Sequence, residues 1–195
     1  MACLLKACRV EYGCESFLYY IFTPTDSIRY GTAVEHHVKY EYQFVDTRNV
    51  FMGQIQTETA YYQPNPDATM PFPYNAALSD PIFKPSSNSS VNAASGWGLR
   101  IVRSNNILGY GVGLYSFFDN YSTSCSDIGA GARCQMRILS IEGDRNSYDI
   151  NLYNINTVGT MQMITRDGVD LASNVDNNST FVDNINVFRI NSYGA

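Results

Sequence analysis

The chain has 195 residues, enough for one domain with a substantial core and too few to expect two. Only 16% of the residues are charged, the net charge is −5 and the pI is near 4.9, which excludes phosphate binding through clustered Lys and Arg. No run approaches the roughly 18 to 20 apolar residues of a membrane-spanning helix, so neither nucleic acid nor membrane is an expected partner. Aromatics reach 13%, with 15 Tyr, 10 Phe and one Trp, and this uncharged polar and aromatic surface suits a neutral ligand such as a sugar.

The N-terminus, Met1-Ala-Cys-Leu-Leu-Lys-Ala-Cys-Arg-Val-Glu, is a poor export signal because Arg9 and Glu11 interrupt any apolar core. Cys3, Cys8 and Cys14 crowd this segment at spacings that match no metal motif. The first 27 residues fit none of the patterns that follow.

From about residue 32, β-branched and aromatic residues alternate with polar ones, and no long stripe of helical period appears. Glu35 opens the run Glu-His-His-Val-Lys-Tyr-Glu-Tyr, in which alternation turns one of His36 and His37 inward and the other outward. Residues 44–58, 101–115 and 141–155 can be laid over one another. Phe44, Ile101 and Ile141 then align, each followed five positions later by Asn49, Asn106 or Asn146, and Ile55, Val112 and Leu152 fall in equivalent places. Strand, Asn-bearing turn, strand is the unit of a right-handed parallel β-helix, since Asn tolerates left-handed backbone at the turn and inward residues stack from coil to coil. An antiparallel sandwich with similar strand spacing is the alternative.

Two long excursions interrupt these units. Residues 59–96 are rich in Pro and aromatics. Their front half, Tyr61 to Tyr74, reads as a packed binding loop, and Lys84 to Ser95 as a flexible one. Trp97 follows between glycines, either a flat sugar platform or a core plug. Residues 116–136 are expected to be stapled by a Cys125–Cys134 disulfide, because the intervening glycines let the ends meet; two free thiols are the alternative. Residues 159–181 read as a polar hairpin or loop turning at Arg166-Asp167-Gly168. Asn88, Asn120, Asn177 and Asn178 each open an Asn-X-Ser/Thr sequon, which agrees with secretion.

Glu35 and Glu58 are the candidate chemical centre. They lie 23 residues apart, close to one coil of such a structure, so they are expected to neighbour each other on adjacent rungs about 4.8 Å apart. Two carboxyls at that range cannot both ionise cheaply, and one is pushed toward the protonated form. Glu58, beside Tyr61 and Tyr62, is the better proton donor for a glycosidic oxygen. The plainer alternative is a pair of solvent-facing glutamates. No nucleophile triad, Cys/His pair, metal cluster or phosphate loop is expected, and no cofactor.

Tyr30-Gly-Thr-Ala-Val-Glu-His-His, Gln54-Ile-Gln-Thr-Glu-Thr-Ala-Tyr-Tyr-Gln-Pro-Asn-Pro-Asp-Ala and Gly113-Leu-Tyr-Ser-Phe-Phe-Asp-Asn-Tyr-Ser-Thr-Ser-Cys resemble glycoside hydrolase family 55 of fungi. The likeness continues through Asn154-Ile-Asn-Thr-Val-Gly-Thr and Met163-Ile-Thr-Arg-Asp-Gly and covers roughly residues 28–190. The resemblance implies a pectate-lyase-like fold and an exo-acting, inverting β-1,3-glucanase built from two tandem right-handed β-helices. This chain corresponds to the end of the second helix: an atypical segment at 1–27, then 28–195 as part of that helix. It implies Glu58 as general acid and Glu35 as the other acidic residue of the pocket. Gln56, His36, Tyr61, Tyr62 and Trp97 would contact a laminarin-type β-1,3-glucan outside the cell. The groups that hold the attacking water would belong to the first helix, so weak or no turnover alone is expected, with a non-catalytic glucan-binding or interaction module as the alternative.

Overall fold

A computed structural model of the chain describes residues 27–83, 94–131 and 134–192. The three N-terminal cysteines, Asn88 and most of the segment expected to be flexible lie outside these residues. Eleven strands are described: β1 (Ser27–Glu35), β2 (Tyr40–Val45), β3 (Arg48–Glu58), β4 (Trp97–Val102), β5 (Asn105–Tyr115), β6 (Gln135–Arg137), β7 (Leu139–Glu142), β8 (Tyr148–Val158), β9 (Thr160–Arg166), β10 (Val169–Ser173) and β11 (Asp183–Ile190). Among the described residues the helical content is three single 3-10 turns. The described residues are all-β, as their alternation requires.

The strands form two sheets. One has the order β1-β3-β5-β8-β11, the other β10-β9-β7-β4-β2 with β6 also paired to β9. Every pairing within β1-β3-β5-β8 and within β2-β4-β7-β9 is parallel. Three times the chain passes from the second sheet to the first through a short corner, β2 to β3, β4 to β5 and β7 to β8. At one end β11 lies antiparallel on β8 and β10 antiparallel on β9. The β9–β10 turn runs through Asp167 and Gly168, both at positive φ, as the hairpin reading anticipated.

Left-handed residues stack in columns and make the corners. Asp46, Arg103 and Gly143 form one column, at φ 53°, 47° and 112°; Asn49, Asn106 and Asp149 form the next, at 58°, 52° and 49°. Asn and Asp enter this region at low cost because their short polar side chains bond locally, and Asn106 Nδ2 donates to Asn49 Oδ1 at 2.7 Å. Gly31, Gln54, Gly111 and Asn154 make a third column within the long strands. The β1–β3 pairing passes from Tyr30↔Gly53 to Thr32↔Ile55 across it.

Between the sheets, side chains stack rung on rung. Phe44 pairs with Ile101 and Ile101 with Ile141; Val50 with Ile107 and Ile107 with Ile150; Ile55 with Val112 and Val112 with Ile155. All nine are buried in one continuous core. One part of the sequence overlay is corrected here: Val112 is matched by Ile155 rather than Leu152, and Asn106 by Asp149 rather than Asn146. The 3-10 turn Asp144–Asn146 lengthens the corner before β8, so residues beyond it lie three places later than the uninterrupted alignment puts them.

The excursions pack on each other above one end of the strands. Gln63 Nε2 donates to the Val38 carbonyl and the Gly96 amide donates to Gln63 Oε1, both at 2.9 Å. Asn120 and Tyr121 donate their backbone N–H groups to the carbonyls of Gln63 and Tyr61, both at 2.8 Å. A buried Lys39–Asp80 ion pair and a Lys39 Nζ bond to the Pro73 carbonyl hold the rest of the first loop. Cys125 and Cys134 form a disulfide with a Cα separation of 5.0 Å.

Candidate active site

β1 and β3 end together, with Glu35 and Glu58 direct register partners. Immediately after Glu35 the chain turns at His36, whose φ is 66° and whose N–H donates to the Glu58 carbonyl at 2.7 Å. That turn brings the imidazole between the two acids. Nε2 is 3.9 Å from Glu35 Oε2 and 3.7 Å from Glu58 Oε2, beyond hydrogen-bond range and within electrostatic reach. Nδ1 is 3.3 Å from the Thr59 carbonyl.

An aromatic wall stands on one side. The His36 ring lies 3.9 Å from that of Tyr61, and Phe118 meets Tyr61 edge-on at 4.4 Å. Gln56 Nε2 donates to Glu35 Oε1 at 3.3 Å. The side chain of Glu58 is 24% exposed against 37% for Glu35, so Glu58 is the more desolvated acid. Its carboxyl is raised above the usual range, first by burial and then by the Glu35 charge, with His36 opposing. The Tyr61 phenol is also raised, by burial and then by Glu58 and Glu35.

Ligand atoms of Glu35, His36 and Glu58 all lie within 4.8 Å of one another. Two carboxylates so close leave no room for the water that an inverting acid/base pair encloses, which needs a separation of about 6.5 to 9.5 Å. Glu35 therefore suits tuning Glu58 rather than activating water opposite it. A divalent cation could use the same donor spacing, although acidic groups often reach it at a surface without an ion.

Of the residues singled out from the sequence, Glu35, His36, Gln56, Glu58 and Tyr61 come together. Tyr62 is half-buried, and its hydroxyl is buried without a hydrogen-bond partner among the described residues. Its phenol is raised by burial and by Tyr121. Trp97 lies elsewhere. It lines a groove of about 550 Å³ on the second sheet with Arg100, Arg137, Glu142, Thr165 and Ile82, and none of the residues gathered around Glu58 lines it. Its floor is an Arg100–Glu142 pair with two bonds, 2.7 and 2.6 Å.

Three contributors escaped sequence reasoning. Tyr115 is the register partner of Glu58 on the side away from Glu35, and its ring folds over Gly113, where a Cβ would lie 2.7 Å from the phenol oxygen. Phe118 supports Tyr61. Glu41, 1% exposed, accepts the His37 N–H at 3.1 Å, and its other oxygen is 2.8 Å from His37 Nδ1. Burial pushes Glu41 well up and His37 down. The overlay of residues 44–58 on 101–115 already sets Tyr115 opposite Glu58, but nothing in it marked the tyrosine as part of the site. Gly113-Leu-Tyr, aligned with Gln56-Thr-Glu, is the signal that could have found it.

Fold and site together define an all-β protein of parallel stacked strands carrying an acidic pair against an aromatic wall. No family model matches the chain. A protein of Cochliobolus carbonum named glucan 1,3-beta-glucosidase is 43% identical over 155 residues, which make up 78% of this chain and 18% of that protein. One of Arthroderma benhamiae named probable glucan endo-1,3-beta-glucosidase is 38% identical over 160 residues, 82% of this chain and 17% of that protein. One of Penicillium expansum named non-secreted LysM effector LysM15 is 33% identical over 156 residues, 80% of this chain and 10% of that protein. The chain is thus homologous, over about four fifths of its length, to a portion of proteins named glucan 1,3-beta-glucosidase and probable glucan endo-1,3-beta-glucosidase, in line with the resemblance read from its motifs. It spans less than a fifth of the length of these curated relatives.

Proposed function

We propose that this chain is the C-terminal part of a family 55 β-1,3-glucan hydrolase, an inverting, exo-acting enzyme in which Glu58 is the general acid. The observation that carries the reading is the Glu35–Glu58 register pair, with the more buried member flanked by His36 and Tyr61. Parallel strands joined by left-handed corners fit coils of a right-handed parallel β-helix, the fold expected of such an enzyme.

In this reading Glu58 enters the reaction protonated, because burial and the Glu35 charge oppose its ionisation. It gives its proton to the glycosidic oxygen as the bond to the anomeric carbon breaks, and leaves as a carboxylate that His36 helps stabilise. Gln56 and His36 bond sugar hydroxyls, and the Tyr61 ring packs on an apolar sugar face. A sugar contact from Tyr62 rests on the resemblance alone. Trp97 would meet glucan only along its own groove. The water is held by groups outside this chain, so turnover by the chain alone is low. Secretion agrees with the Cys125–Cys134 disulfide and with exposed sequon residues Asn120 and Asn178.

A second reading is a non-catalytic glucan-binding or interaction module. It is favoured by one observation: a relative named as an effector aligns with four fifths of this chain at 33% identity. Thermal stabilisation by laminarin, measured beside reducing-sugar release for wild type and Glu58→Gln, separates the two. A hydrolase shows both effects and loses release in the variant. A binding module shows stabilisation alone.

A further inference from the structure

We propose that His37 and Glu41 are positioning residues, a buried imidazole–carboxyl pair that holds the turn after β1 and so keeps His36 between Glu35 and Glu58. The turn is short and strained at His36, whose positive φ is costly for a residue with a Cβ and persists only where the surroundings enforce it. A backbone tie to β3, His36 N–H to the Glu58 carbonyl, fixes one side. From the other side Glu41 takes the His37 N–H on one oxygen and meets His37 Nδ1 with the other. The next residue, Val38, is pinned through its carbonyl by Gln63.

Such a pair is an expensive way to fill space, since a buried carboxyl needs its partners to offset lost hydration. An apolar side chain would fill the volume equally well, and none of the interior ladders uses Glu41. What the pair supplies is direction: with His37 held against Glu41, the left-handed turn at His36 carries its ring to the acids. The inference depends on the proposed function only in calling Glu58 the acid; the geometry it asserts can be tested without turnover.

The test uses nuclear magnetic resonance on the full chain, whose two histidines make assignment of the rings simple. Wild type should show ring contacts between His36 and Tyr61. Glu41→Gln should keep them, because a carboxamide can accept from the His37 N–H and donate to Nδ1. Glu41→Leu should lose them while Ile101–Ile141 contacts persist. His36–Tyr61 contacts that survive Glu41→Leu, or vanish equally in Glu41→Gln, overturn the proposal. Should Glu41→Leu also lose the Ile101–Ile141 contacts, wild-type hydrogen exchange decides. The His37 amide should exchange as slowly as that of Ile101, and exchange more than a hundredfold faster overturns the proposal. A failed hydrolase reading would appear as absent sugar release with these contacts intact.

Discussion

Glu35 and Glu58 face each other across one rung of a parallel sheet, and the imidazole of His36 stands 3.9 and 3.7 Å from their carboxylates. The less exposed acid is also the one raised by its neighbour's charge. A pH–rate profile checks the consequence. A general acid works while protonated, so sugar release should fall as pH rises through the raised Glu58 value. Glu35→Gln removes one of the causes of that rise and should move this limb to lower pH. A limb that stays in place or moves upward argues against the coupling.

Glu41 makes the opposite kind of statement, about stability. Its folded value is well above its unfolded one because burial opposes the charge. Protons are then bound more tightly in the folded state, and the stabilisation is fully present below the unfolded value and lost as pH rises toward the folded one. Urea unfolding should show wild type losing stability relative to Glu41→Gln, which carries no such proton, as pH rises above the unfolded glutamate value of about 4. Equal pH dependence of the two proteins would exclude an uncharged Glu41.

Tyr61 is held by Phe118 edge-on. Phe118→Ala should free the Tyr61 ring and weaken laminarin binding by roughly 1 kcal/mol, about fivefold in Kd, with the melting temperature little changed. Titration of laminarin by calorimetry reads this directly. Trp97→Ala, in a groove apart from the acids, should leave the pH profile unaltered.

Asp80 is the buried counter-ion of Lys39 and also accepts the Asn75 amide at 2.8 Å. Asp80→Ala should destabilise the chain by about 3 to 5 kcal/mol, since removing one partner leaves the other charge poorly compensated. Gly159 sits at φ 71°, where a Cβ would come 1.8 Å from the Ser116 carbonyl oxygen. Gly159→Ala should cost at least about 2 kcal/mol for the overlap and the left-handed backbone. Denaturant melts of both variants measure these losses.

Much of the scaffold could be read from the residues. Phe44, Ile101 and Ile141 stack as their spacing indicates, because inward positions of parallel strands must align or the core opens. The alignment failed from Asn146 onward, where a 3-10 turn adds length that no apolar pattern marks. The Glu35–Glu58 pairing was legible because only the turn after β1, strand β2 and one short corner lie between β1 and β3. Tyr115 was aligned with Glu58 by the same overlay but not picked out, because a tyrosine in an aromatic-rich strand carries no mark of a site. Glu41 was hidden for a different reason. In the alternating run of β2 a glutamate reads as solvent-facing, whereas the strand is buried on both faces and the His37 N–H lies on this carboxyl. Trp97, flanked by glycines and isolated, gave no indication of which sheet face its ring would line.

Reducing-sugar release from laminarin by wild type and Glu58→Gln, at equal concentration and with binding confirmed for both, tests the role of Glu58 most directly. We expect low but measurable release from wild type and a loss of about 10²-fold or more in the variant, with laminarin binding retained. Release by Glu58→Gln at the wild-type rate would contradict Glu58 as the proton donor.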